Sequence, residues 1–326
     1  MFRNAPSLVL TTLAALALAA FALALTTGSV ALGPGMVARA LLGFGDETQR
    51  LIVRELRLPR ALAAFATGGE LALAGALLQV LLRNPLADPY VVGVSGGAAV
   101  GALVAMLLGA AAWLVPGGAF AGAVVSTAIV FGLARGRGAW SPMRLLLTGV
   151  VVAAGWGAIV ALILSLAPET QLRGMLFWLI GDLSSPPMTW TPLVVLLIAL
   201  VIALAFARDF NALSRGETIA ASVGVNVARL PWLLFGLSAL LTAVAVSVAG
   251  AIGFVGLIVP QAVRLMLGND QRVVLPASAL GGGVLLLVAD TLARVVAAPA
   301  QLPVGVITAI IGVPLFLILL ARDRPR

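Results

Sequence analysis

Long apolar runs alternate with short polar breaks along the whole chain. A helix needs about 20 apolar residues to cross the hydrocarbon core of a bilayer. Such runs cover residues 8–26, 61–82, 91–108, 119–134, 145–166, 193–207, 231–251, 281–298 and 304–321. A shorter run, 254–267, is bracketed by Gly253, Gly256 and Pro260. It reads as a short or broken tenth span, of the kind found where protein shelters the backbone or where it lines a cavity. The pattern predicts an all-α, polytopic membrane protein with about ten spans, organised as one transmembrane domain over 1–326. The first run follows Arg3 and ends in small residues, so it is a signal peptide or a retained span. Its apolar stretch exceeds a typical signal core, and its removal would invert the termini.

Two connections are long enough to carry a task. Residues 168–190 fall outside and contain Gly181, Pro186 and Pro187. Residues 208–229, RDFNALSRGETIAASVGVNVAR, fall inside and form the most polar internal segment. There Asn211 or Ser214 is placed to cap a short helix that ends at Gly224. On physical grounds the segment is either a partner-docking element or a solvated connector.

Composition secures the class. The 326 residues are 62% hydrophobic and 10% charged, with a mean hydropathy of +1.15, against about 25% charged residues in soluble domains. The absence of Cys and His removes thiolate and imidazole chemistry. All 20 basic residues are Arg, so a P-loop, which needs its Lys, is excluded, as is Schiff-base catalysis. A GC-rich genome accounts for the missing Lys equally well, and the exclusion of chemistry holds either way.

The net charge is +8, but the Arg stand between apolar runs, where they act as topology signals and not as a nucleic-acid surface. With the N-terminus inside, Arg3, 83, 135, 137, 144, 208, 215, 229, 264, 272, 322, 324 and 326 are cytoplasmic, and Arg39, 50, 54, 57, 60, 173 and 294 are external, 13 against 7. Five of the external ones crowd between Arg39 and Arg60, which breaks the positive-inside pattern locally.

Polar residues within spans are few. Glu70 is costly in an apolar helix. It lines a pathway or locks helices, or it is a protonated or water-reaching side chain. Asp290 stands four residues before Arg294, at ion-pair spacing. The segment 68–101, GGELALAGALLQVLLRNPLADPYVVGVSGGAAVG, spaces Gly93, Gly96, Gly97 and Gly101 for close helix approach.

Within that segment, NPLADPYVVGVSGGA resembles the signature of the FecCD-type permeases, importers of ferric siderophores, haem and cobalamin. Four further strings resemble the family in order and spacing: RLPR at 57–60, RLLLTG at 144–149, GAIGFVGLIVP at 250–260 and LPVG at 302–305. The resemblance implies a type II ABC importer permease of ten spans. It would work as a homodimer in the bacterial cytoplasmic membrane, with both termini inside and the path at the two-fold interface. It implies two separate ATPase subunits below, which would hold the ATP and Mg, and an extracytoplasmic binding protein above. No cofactor or metal is expected on this chain itself.

By the same resemblance the coupling contact falls on Ala212, Leu213, Ser214, Arg215, Gly216, Glu217, Ala220, Ala221 and Gly224. The binding protein would dock on Arg57, Arg60 and Arg294. Internal pairing of Arg57 with Glu55 or Arg294 with Asp290, or anchoring to lipid headgroups, is the alternative. Glu70, Gln79, Pro142 and Met143 are the pathway or gate candidates. Gln261 follows Pro260 where the family usually has His. Pro142 and Met143 replace a Thr-Ser pair of a cobalamin importer, and Glu70 replaces a small apolar residue. Iron(III)-siderophore is the first expectation for the cargo, with haem and cobalamin beside it. An ion-coupled secondary transporter rests on Glu70 alone, and an intramembrane enzyme lacks paired carboxylates within the spans.

Overall fold

The computed structural model describes residues 5–28, 30–135, 142–184, 190–298 and 300–322. Arg3, Arg137, Arg324 and Arg326 of the topology assignment, and Pro186 and Pro187 of the external connection, lie outside the described residues.

Helix α1 (Ala5–Thr26) leads to a short amphipathic helix, α2 (Pro34–Leu41). Helix α3 (Glu47–Leu51) then continues through a π-helical turn, Ile52–Arg57, into α4 (Leu58–Leu82). Residues 47–82 form one 36-residue helix, about 54 Å long at 1.5 Å per residue. That exceeds a hydrocarbon core of about 30 Å, so the helix is longer than a single crossing needs. After α4 the chain runs through α5 (Val94–Leu107), α6 (Val115–Arg135), α7 (Pro142–Leu166), α8 (Glu169–Ile180) and α9 (Thr191–Ala205). Then come α10 (Ala207–Ser214), α11 (Glu217–Ser222), α12 (Leu230–Ala249), α13 (Val255–Leu267), α14 (Gln271–Val295) and α15 (Val304–Arg322).

Among the described residues six helices are long and apolar enough to span a bilayer, a seventh unit is the pair α9–α10 bent by 64°, and three shorter apolar helices are α5, α13 and most of α15. Together they account for the ten expected spans. Four helices differ from expectation. The region before α4 holds α2 and α3, and the external connection holds α8. Helix α14 starts at Gln271, ten residues before the apolar run at 281; Asp270 stands at its N-cap and accepts the Arg272 amide, and the polar residues Gln271 and Ser278 of its first turns are buried.

Helix α4 is the hub. Its apolar window is 89% buried, against 11% for α7. Hydrophobic burial against lipid tails gains little, so close packing has to hold the bundle. Two seams of small residues supply it. Cβ atoms added at Gly68 or Gly282 would strike each other's backbone, and one added at Gly69 would lie 3.0 Å from the Ala279 carbonyl, which joins α4 to α14. Gly97 and Gly101 of α5 meet Gly122 and Gly118 of α6 in the same manner. Gly96 faces Trp156 instead, and Gly93 takes a left-handed φ of 79° as it opens α5.

Non-helical backbone also sits within the bundle. The link before α5 places Pro89 against Gly256, and the Tyr90 hydroxyl accepts the Ile252 amide at 2.9 Å. Gln79 donates to the carbonyls of Ala87, Gly256 and Leu257 at 3.3–3.4 Å. Buried carbonyls need donors where the helix ladder is broken, and here three of them share the two N–H groups of one amide side chain.

Candidate functional site

The end of the bundle expected to face outward gathers the expected arginines, but turns them inward. Arg60 opens α4 and forms a forked pair with Asp290 of α14. Its Nε lies 3.0 and 3.1 Å from Oδ1 and Oδ2, and its Nη2 lies 2.8 Å from Oδ1. Its Nη1 donates to Gln301 Oε1 at 2.7 Å. Arg294 meets the other face of the carboxylate at 3.3 Å, as its spacing predicts, and also donates to the Ala24 carbonyl and Thr291 Oγ1. Arg57 does not pair with Glu55. It donates to the carbonyls of Leu25, in the last turn of α1, and of Val30, just past its end. Asp290 is fully buried, and the side chains of Arg60 and Arg294 are only 9% and 10% exposed. The forks expected to reach a docking partner are therefore spent inside the chain. Two guanidiniums, of Arg60 and Arg294, share a single carboxylate, and the exposed cations of this region are Arg39, Arg50 and Arg54.

The opposite end carries the segment expected to be cytoplasmic, and it differs from a single capped helix. Neither Asn211 nor Ser214 caps it: both lie in α10, and the chain breaks at Arg215–Gly216 before α11 starts without a side-chain cap. The expected end is correct. Gly224 has φ of 84°, its amide donates to the Ala221 carbonyl, and the Val225 amide reaches Ala220, both at 3.0 Å. Such a left-handed terminator suits glycine.

Of the coupling candidates, Ser214, Arg215, Glu217, Ala221 and Gly224 are exposed, while Ala212 and Gly216 are half-buried. Leu213 and Ala220 instead pack into the core, at 3% and 0% exposure, so they anchor the segment and present nothing outward. Ile219 and Val223 are exposed apolar side chains of this surface. Sequence reading passed over them because they look like the buried face of an amphipathic turn.

Of the pathway candidates, Glu70 is fully enclosed, and its carboxylate oxygens have no hydrogen-bond partner among the described residues. Gln79 is a backbone pin and accepts from Arg264 of α13, an arginine that charge counting treated only as a topology signal. Pro142 and Met143 start α7 at the inner face, where Met143 is 63% exposed. Among the described residues no cluster of three or more His, Cys, Asp or Glu could hold a metal ion.

A bundle of long apolar helices with arginines gathered at one end and a polar two-helix segment at the other is that of a polytopic membrane protein. Residues 16–322 match the FecCD transport family, and the chain belongs to it. It is 45% identical over 291 residues to the cobalamin import system permease protein BtuC of Halobacterium salinarum, covering 87% of this chain and 77% of that one. It is 42% identical over 282 residues to the hemin transport system permease protein HmuU of Yersinia pestis, covering 82% and 83%. Its fold superposes with a TM-score of 0.86 and 31% identity on a solved structure described as a metal-chelate type ABC transporter in an inward-facing conformation, over 96% of this chain and 99% of that one. The chain is thus the non-catalytic membrane permease of an ABC importer, a family that binds no cofactor of its own.

Proposed function

We propose that this permease carries a bulky metal chelate of the cobalamin, haem or ferric-siderophore kind into the cytoplasm. The observation that carries the reading is the likeness, over most of the chain, to permeases named for cobalamin and hemin import. The chain has no Cys or His, which fits a cargo that stays inside its own chelator, since borderline and soft metals are held by those ligands. Selectivity then rests with an extracytoplasmic binding protein.

In this reading the chain is one transmembrane domain in the cytoplasmic membrane, both termini inside, paired with a second copy. Two ATPase subunits meet the exposed side of α10–α11, and the binding protein meets the outer arginine region. Docking there uses the excess of positive charge around Asp290 to attract acidic groups, while exposed Arg39 and Arg50 offer direct forks and Arg54, which donates to the Leu41 carbonyl at 2.7 Å, adds its charge. Arg57, Arg60 and Arg294 are the rigid floor beneath them.

The test is reconstitution of the permease with its ATPase and binding protein in proteoliposomes. ATP-dependent uptake of labelled cyanocobalamin, hemin and a ferric hydroxamate is measured side by side. Uptake of at least one chelate, abolished without ATP, is expected. Uptake driven by an ion gradient without ATP would overturn the reading. Docking is checked by pull-down on immobilised binding protein: Arg39→Glu with Arg50→Glu should weaken capture, and so should added salt, since exposed charges are screened over about 10 Å at 0.1 M.

A further inference from the structure

Helices α4 and α14 are fastened at both ends as well as along their length. At the cytoplasmic end, Asn211 of α10 donates its Nδ2–H to Asp270 Oδ1 at 2.8 Å and accepts the Gln271 amide on Oδ1 at 2.8 Å. Asp270 also accepts the Arg272 amide at 3.0 Å. The first amides of a helix have no partner within it, so a side chain from the cytoplasmic segment completes the start of α14. At the inner end of α4, Arg83 pairs with Glu217 of α11 at 3.3 Å. At the outer end the two helices are joined by Arg60 and Asp290. Between these ties runs the seam at Gly68, Gly69 and Gly282, where neither helix can slide without a backbone clash. From Gln271 to Asp290 this frame crosses roughly 30 Å at 1.5 Å per residue.

We propose that Asn211 is a positioning residue that latches the cytoplasmic segment to α14, so that α4 and α14 move with that segment and carry its state to the outer arginine cluster. The inference rests on the reading that α10–α11 faces the ATPase and the arginine region faces the binding protein. Two observations favour Asn211 over Arg83 as the main tie. The Arg83–Glu217 pair is 40% and 48% exposed, and such surface pairs contribute little. The Asn211 amide makes two bonds at once to the terminus of the helix that also bears Asp290 and Arg294. Linkage then works in both directions: a trapped ATPase state changes the affinity for the binding protein by the same factor as the binding protein changes the affinity for that state. Position along a helix is not in itself coupling, so the measurement has to be of coupling and not of stability alone.

The experiment uses the full complex of permease, ATPase and binding protein in proteoliposomes. Three quantities are read: basal ATP hydrolysis, its stimulation by saturating binding protein, and the change in binding-protein affinity on trapping with ATP and vanadate. Asn211→Ala is expected to co-purify with the ATPase and keep basal hydrolysis, while stimulation falls and the affinity change shrinks, each by at least threefold. Asp270→Asn retains an acceptor oxygen for Asn211 and is expected to match the wild type in both. A wild-type stimulation ratio and affinity change in Asn211→Ala, even with a lowered melting temperature, would overturn the latch and leave Asn211 as a local cap. Loss of the ATPase on purification of Asn211→Ala would overturn it also, by making the residue an assembly contact. Absence of stimulation and of any affinity change in the wild type would overturn the assignment of the two faces, and the latch with it.

Discussion

Removing the carboxylate at position 290 should be the most damaging single change at the outer end of the bundle. Asp290→Ala takes one fully buried acid from between two guanidiniums whose side chains are 9% and 10% exposed. Arg60 loses three contacts of 2.8–3.1 Å and keeps only Gln301, while Arg294 keeps a carbonyl and a hydroxyl. Breaking a buried pair on one side costs about 3–5 kcal/mol, because the remaining charge is left uncompensated. At roughly 2–4 °C per kcal/mol for a chain of this order of size, the melting temperature should fall by on the order of 10 °C. Asp290→Asn, which keeps an acceptor oxygen, should fall by less. Adding Arg60→Met and Arg294→Met to Asp290→Ala should recover most of the loss, since buried ion pairs can be replaced by apolar groups at little net cost. The assay is thermal denaturation of the detergent-purified chain. If Asp290→Ala melts with the wild type, or the triple variant is worse than the single one, the uncompensated-charge account is wrong.

Three other outcomes are expected. Gly224→Asp places a side chain in open space but at φ of 84°, a strain of about 1–2 kcal/mol, and should lower ATPase co-purification several-fold; unchanged assembly would remove this terminus from the contact. Glu70→Gln breaks no observed hydrogen bond and should leave transport near the wild-type rate, whereas a severe loss at unchanged expression would mean that the carboxylate itself is used. For Asp270, burial acts upward, but the Asn211 amide, the Arg272 amide and the Arg272 charge together hold its carboxyl below the ordinary 3.8. A lowered folded value gives stability that is present above the unfolded value and lost as pH falls through the folded one. The melting gap between wild type and Asn211→Ala should therefore be full at pH 7 and close as pH falls below 3.8; a gap that is constant with pH would show that the ionised carboxylate contributes nothing.

What the sequence discloses, and what it hides, follows from the range of the forces involved. Spans were legible because each needs only a continuous apolar run, and the short α13 declared itself through Gly253, Gly256 and Pro260. The end of the cytoplasmic segment was legible because a left-handed terminator is a local event at Gly224. The pairing of Asp290 with Arg294 was legible because four residues make one helical turn. The hidden features all depend on distant partners. Arg57 turns inward because carbonyls of Leu25 and Val30 come within reach, 32 and 27 residues away, and Arg60 finds Asp290 across 230 positions. Asn211 reads as a cap in sequence, and it is one, but for a helix that begins 60 residues later. The first turns of α14 read as loop because Gln271, Arg272, Pro276 and Ser278 dilute the apolar pattern. Burial of two of those polar side chains against other helices is a tertiary fact.

The polar residues along α4 show how its position is fixed within an apolar bundle. Side-chain packing alone leaves a helix free to rotate or slip by a residue, because one aliphatic surface resembles the next. Arg60 at one end, Gln79 in the last turn and Arg83 at the other end each have partners on a different element: α14, the start of α13 at Gly256–Leu257, and α11. A slip of one residue would carry about 1.5 Å of axial shift and 100° of rotation, enough to separate all three from their partners at once. The glycines act on the remaining freedom, since close approach at Gly68–Gly282 and Gly75–Gly256 is possible in one register only. A rearrangement that respects these ties has to use interfaces without backbone contact. Helix α7, which is 11% buried, presents most of its surface to whatever lies beside this chain, and it is free of the constraints that hold α4 in place.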